Sequence, residues 1–197
     1  DATTPSPSQF TTRPLPVYMM WSNRGDNVAT SMTRAFDLSG VKNATLQFAA
    51  WYDIEQDWDY GYVEVSTNGG TTWTSLDDTG PYFTTTDPNG QNAGHGLTGD
   101  GSATLQFDLT AYAGLTVQLR LRYVTDLSIQ GDGWWADGFA LTNGATTVFG
   151  DDVESGANGW TAAGWSFVPL TLHYPRYYLV EWRNATGFDA GLKYAYQ

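Results

Sequence analysis

Most of the chain alternates apolar and polar residues with the two-residue period of half-buried strands. Thr104-Leu105-Gln106-Phe107-Asp108-Leu109 turns Leu105, Phe107 and Leu109 inward, and Val117-Gln118-Leu119-Arg120-Leu121-Arg122-Tyr123 puts Gln118, Arg120 and Arg122 on an outer face. Ala44 to Tyr52 is a mostly apolar run, which predicts a central strand covered on both sides. Glu64 to Ser66 leads into Thr67-Asn68-Gly69-Gly70-Thr71-Thr72-Trp73, whose Asn-Gly-Gly centre predicts a tight turn with Trp73 packed back under it. Phe36-Asp37-Leu38-Ser39 and Phe107-Asp108-Leu109-Thr110 read as a matching pair of strand exits. No stretch carries the period of an amphipathic helix. Short strands between Gly, Asn and Asp turns predict an all-β fold, an antiparallel jelly-roll β-sandwich. The expected organisation is a Pro/Ser/Thr-rich linker over 1–14 and the sandwich over 15–150. Residues 151–197 then add strands that complete the sandwich or begin a further module.

The acids carry the candidate chemistry. Asp53, Glu55, Asp57 and Asp59 fall at every second position between Tyr52 and Tyr60. On an extended strand they would share one face, where mutual repulsion calls for screening water or a cation. Carboxylate oxygens in such number suit a hard cation, calcium above all. The spacing is not an EF-hand loop, because Trp58 stands where that loop needs its sharp-turn glycine. In Trp134-Trp135-Ala136-Asp137-Gly138-Phe139-Ala140-Leu141, unbroken alternation puts Asp137 on the face of Trp135, Phe139 and Leu141. A carboxylate there must be paired with a cation such as Arg34 or bind calcium, and Asp126 and Asp132 lie near enough in sequence to join it.

Composition narrows the function. Nine Lys and Arg against 21 Asp and Glu give a net charge of −12, which argues against nucleic acid and anionic membranes as partners. No apolar run approaches the ~20 residues of a membrane-spanning helix. There is no cysteine, hence no disulfide framework and no thiolate metal site. The only histidines, His95 and His173, are not arranged as His-Glu-x-x-His, and no Gly-x-Ser-x-Gly elbow occurs. The sequence therefore assigns no catalytic residue and no zinc site to these 197 residues.

An ordered series of segments carries a resemblance. It runs from Tyr52-Asp53-Ile54-Glu55 through Pro88–Gly99 and Arg122-Tyr123-Val124-Thr125-Asp126 to Asp152-Val153-Glu154-Ser155-Gly156. It continues with Gly159-Trp160-Thr161, then Tyr177–Asn184 and Gly187–Lys193. Together they resemble the post-catalytic region of the immune inhibitor A family of secreted bacterial zinc metallopeptidases. The resemblance implies a MAM-like sandwich with structural calcium. Asp152 and Glu154 would match the acidic opening of MAM modules, and Asp137 the late acid that joins them. The expected metal ligands are thus Glu55, Asp57, Asp59, Asp126, Asp137, Asp152 and Glu154, with calcium as the ion. The expected role is a non-catalytic, secreted or cell-surface bacterial region that braces its own catalytic domain or contacts a protein substrate. The alternative is a carbohydrate-binding or adhesion module. There glycans would stack on Trp58, Trp134 and Trp160, or Arg24-Gly25-Asp26 would serve adhesion.

Overall fold

In a computed structural model the described residues are 17–170, and they form two antiparallel sheets packed face to face. The strands are β1 (Val17–Trp21), β2 (Ala29–Asp37), β3 (Ala44–Ile54), β4 (Tyr60–Ser66), β5 (Thr74–Ser75), β6 (Phe83–Thr84) and β7 (Gly96–Leu97). They continue as β8 (Gly99–Asp108), β9 (Thr116–Val124), β10 (Gly133–Asn143), β11 (Thr146–Asp151), β12 (Thr161–Ala163) and β13 (Ser166–Leu170). The first sheet has the order β13-β1-β10-β3-β8, with β11 added to β10. The second has the order β12-β2-β9-β4-β7-β6, with β5 added to β4. Successive long strands change sheet, which is the jelly-roll connection. The expected linker over 1–14 and everything after Leu170 lie outside the described residues.

Alternation builds the core. Leu105, Phe107, Leu119, Leu121 and Tyr123 are fully buried, as the two clearest sequence patterns require. β3 alternates buried and half-buried residues along its whole length, so only one of its faces lies in the core. The matching exits behave alike: Asp37 Oδ1 accepts from Ser39 N, and Asp108 Oδ1 from Thr110 N. The turn after β4 is organised by its own side chains, with Asn68 Oδ1 accepting from Thr72 N and Ser66 Oγ from Gly70 N. Trp73 beyond it supports Arg120, whose guanidinium lies 4.0 Å from the ring centroid.

Two sequence expectations fail here for local reasons. The four acids after Tyr52 do not line a strand, because β3 ends at Ile54 and a turn intervenes before β4. Asp137 shares a face with Trp135 but not with Phe139 and Leu141. The pairing of β10 with β3 slips between Asp137↔Ala49 and Ala140↔Gln47, so Gly138 and Phe139 stand opposite Phe48 alone. Gly138, at φ 63, provides the backbone for this bulge. One extra residue reverses the parity of every side chain after it.

The outer face of the second sheet is held by a carboxylate between two guanidiniums. Glu64 is buried and accepts from Arg120 Nε at 2.7 Å and from Arg122 Nη2 at 3.0 Å. Removing the acid leaves two largely covered cations without a counter-charge. Glu64→Ala should cost about 2 kcal/mol and lower the urea midpoint with an unchanged slope. An unchanged midpoint would show that the cluster contributes nothing net.

Candidate metal centre

The turn that replaces the expected strand gathers its acids by backbone geometry. The carbonyl of Glu55 accepts from Trp58 N, Asp59 N and Thr98 Oγ1 at 3.3, 3.1 and 3.0 Å. Asp57 adopts a left-handed φ of 65, and its amide donates to Thr98 Oγ1. This tight winding brings Glu55 and Asp59 side by side. The loop from β9 to β10 supplies the third acid: Asp126 N donates to Asp59 Oδ1 at 2.8 Å. The loop between β1 and β2 closes over it, with Asn27 N donating to the Asp126 carbonyl and Thr125 Oγ1 donating to the Gly25 carbonyl.

One carboxylate oxygen from each of Glu55, Asp59 and Asp126 lies within 4.8 Å of the others. Asp59 is 0% exposed, and its Oδ2, like Glu55 Oε2, is buried and makes no hydrogen bond of ordinary geometry. Burial pushes the Asp59 carboxyl up to about 6; the Asp126 amide opposes the rise, and the charges of Asp126, Glu55 and Asp26 add to it. Burial and then the Asp126 charge also raise Glu55. The Tyr123 hydroxyl, buried beside this group, is raised by desolvation first and then by the Asp59 charge, with the Asp59 side chain as its hydrogen-bonding neighbour. Such an arrangement can hold a proton or a hard cation, and oxygen ligands alone favour calcium over softer metals.

The other expected ligands stand elsewhere. Asp57 is not in the cluster, and its Oδ1 accepts from Gln56 Nε2. Asp137 accepts from Gly138 N, Asp152 from Glu154 N, and Glu154 Oε1 from Tyr18 N. Among the described residues, Asp137, Asp152 and Glu154 form no metal-sized cluster. The more buried acid in Asp151-Asp152 is Asp151, which the sequence reading passed over. It accepts from Val153 N and from Trp160 Nε1. Its placement on the core side of β11 was legible only once the strand end was known. The contribution of Asp26 was missed too, because nothing local to Arg24-Gly25-Asp26 ties that acid to Asp59. Arg24 of that tripeptide donates to Asp132 Oδ1 and is built into the loops.

The sugar-stacking expectation fails for two of its three rings. Trp134 is 0% exposed and Trp160 5%, so neither can offer a face to a glycan. Trp58 is exposed. His95 Nδ1 lies 3.2 Å from Asp77 Oδ1, and nearby Ser75 Oγ accepts from the His95 backbone amide.

A family model described as the immune inhibitor A-like MAM domain matches residues 4–168. The chain belongs to that family. It is 32% identical to the pre-pro-metalloprotease PrtV of Vibrio cholerae over 180 residues, covering 89% of this chain and 18% of PrtV. It is 31% identical to immune inhibitor A of Bacillus thuringiensis over 177 residues, covering 89% of this chain and 24% of that protein. A shorter match, 32% over 98 residues, covers 50% of this chain and 6% of bacillopeptidase F of Bacillus subtilis. This MAM domain therefore spans a quarter or less of each of these relatives.

The raised Asp59 pKa has a pH consequence in metal-free protein. Its folded value of about 6 lies above the ordinary 3.8, so the folded state binds this proton more tightly than the unfolded chain does. Stability from this group is therefore fully present below about pH 4 and falls as pH rises towards 6 and beyond, by about 2–3 kcal/mol in all. With chelator present, denaturant titrations should show that fall in the wild type and a flatter profile in Asp59→Asn. Identical profiles would place the titrating group elsewhere.

Proposed function

We propose that this MAM domain is a non-catalytic, calcium-stabilised region of a secreted bacterial metallopeptidase, bracing the catalytic domain or contacting the protein substrate. The observation that carries the calcium part is the fully buried Asp59, of which one carboxylate oxygen lies within 4.8 Å of one from each of Glu55 and Asp126. A bare buried charge costs several kcal/mol. A calcium ion held by Glu55, Asp59 and Asp126 would remove that cost, and the all-oxygen donor set fits a hard cation. The three residues lie on two connections that both pass between the sheets, so binding there would lock one end of the sandwich. The accessory role is supported by relatives: PrtV is named a metalloprotease, and the matched part is a small fraction of it.

Melting with and without calcium tests the reading. Saturating calcium should stabilise the chelated protein by about 2.7 kcal/mol at a hundredfold excess over its dissociation constant, and Asp126→Asn should abolish the gain. Superimposable curves, with no metal found by elemental analysis, would remove calcium from the proposal. In the longer protein that carries this domain, Asp59→Ala should lower the yield of folded protease, by at least about fivefold if ~1 kcal/mol of bracing is lost. Activity per folded molecule should be unchanged on a short peptide. Normal yield would refute bracing.

A further inference from the structure

Four Asn-Gly pairs punctuate the turns: Asn68-Gly69, Asn89-Gly90, Asn143-Gly144 and Asn158-Gly159. In such a pair the glycine amide nitrogen can attack the asparagine side-chain carbonyl, because no Cβ obstructs its approach. A C–N bond forms, and the side-chain nitrogen leaves as ammonia with the proton of the glycine amide. Water then opens the succinimide ring to aspartate or isoaspartate. The reaction needs a side-chain amide free to turn and room for the ring. Three of the pairs are held against it. Asn68 Oδ1 accepts from Thr72 N and Ser66 Oγ, and its Nδ2 donates to Thr72 Oγ1. Asn143 Oδ1 accepts from Lys42 N and Asn43 N, while the attacking amide, Gly144 N, donates to the Asn43 carbonyl at 2.9 Å. Asn158 and Gly159, at φ 39 and 86, are the centre of a turn closed by Trp160 N on the Ala157 carbonyl. Gly159 also lies hard against Arg34, since a Cβ there would stand 2.7 Å from Arg34 Nη1.

Asn89 differs from the other three. It is exposed, and among the described residues its side chain makes one bond, from Nδ2 to the Asp57 carbonyl at 3.2 Å. That bond touches the leaving nitrogen and leaves the carbonyl carbon open to attack. A Cβ built on Gly90 would meet nothing within 4 Å, so the ring has room to close. We infer that Asn89 is a site of spontaneous deamidation, and that the change cuts the tie between its loop and the 55–59 turn. The donor facing the Asp57 carbonyl becomes a carboxylate oxygen with no proton to share. The loop itself is held by Asp87 Oδ1, which accepts from Gln91 N and Asn92 N, and an added charge two residues away opposes that acid. Isoaspartate would further lengthen the backbone between Asp87 and its two donors. Asp57 keeps its bond to Thr98 Oγ1, so the turn loses its outer support without unfolding the strands. Water is the sole co-reactant, and no step depends on a bound cation.

Ageing the full 197-residue chain in mildly alkaline buffer, followed by peptide mapping with mass spectrometry, tests the site. The fragment carrying Asn89 should convert to its aspartate and isoaspartate forms at least about tenfold faster than those carrying Asn68, Asn143 or Asn158, which must first open locally. Asn89→Gln, whose ring would need an extra methylene, should stop conversion at this position. Hydrogen exchange on freshly made Asn89→Asp then reads the consequence. The Trp58 and Asp59 amides should exchange severalfold faster than in the wild type, while β3 and β9 keep their protection and so report a folded sandwich. No conversion at Asn89, or equal rates at any of the other three pairs, would overturn the site. Unchanged exchange at Trp58 and Asp59 in Asn89→Asp would overturn the claim that the tie to the turn is cut.

Discussion

The hydrogen bond from Asp126 N to Asp59 Oδ1 ties together the two connections on which this end of the sandwich depends. β3 and β10 belong to the first sheet, β4 and β9 to the second, so the 55–59 turn and the 125–132 loop each carry the chain from one layer to the other. Packing holds the middle of the sheets whatever the ends do, because large aromatic residues such as Phe48, Phe107 and Trp134 fill it. At the ends, backbone groups leave the ladders and need other partners. Asp59 supplies one, at the cost of an ionised group buried beside two like charges. The strain of the site and the closure of the fold are therefore the same interaction.

How much of this was legible in the sequence depended on whether a residue's neighbours or its distant partners decide its place. The strands of Leu105–Leu109 and Val117–Tyr123 could be read directly, since alternation is a local property that burial then enforces. The sandwich and its antiparallel sheets followed from those patterns and their turns. The bulge at Gly138 could not be read so, because nothing in Asp-Gly-Phe distinguishes a left-handed glycine inside a strand from one in regular pleat. The consequence is large: Trp134 enters the core and Trp135 leaves it, and Asp137 parts company with Phe139. Likewise the stripe Asp53, Glu55, Asp57, Asp59 has the period of a strand, but three donors converge on the Glu55 carbonyl and wind it into a turn. Glu55, Asp59 and Asp126 were named from sequence as acids in the right segments. Their convergence depends on a contact across 67 residues, which no local pattern encodes.

The abundance of acids in this chain is a poor guide to metal binding, because most that can be followed are doing a different task. Asp78 accepts from Gly80 N and Phe83 N, Asp87 from Gln91 N and Asn92 N, and Asp151 from Val153 N. Asp37, Asp108 and Asp152 each accept from the amide two residues on. These are turn-forming roles that short aspartates fill well, and they account for acid-rich loops without any ion. They also satisfy the carboxylate oxygens that a cation would need. What separates Asp59 from this group is neither its charge nor its neighbours in sequence. One of its oxygens does the ordinary structural task, bonding the Asp126 amide, while the other is sealed from water beside the Tyr123 hydroxyl and the further carboxylates. A turn aspartate gains from ionising because amides surround it. Asp59 loses, and that inverted balance is the physical reason to expect a bound proton or a bound cation at this one place among so many acids.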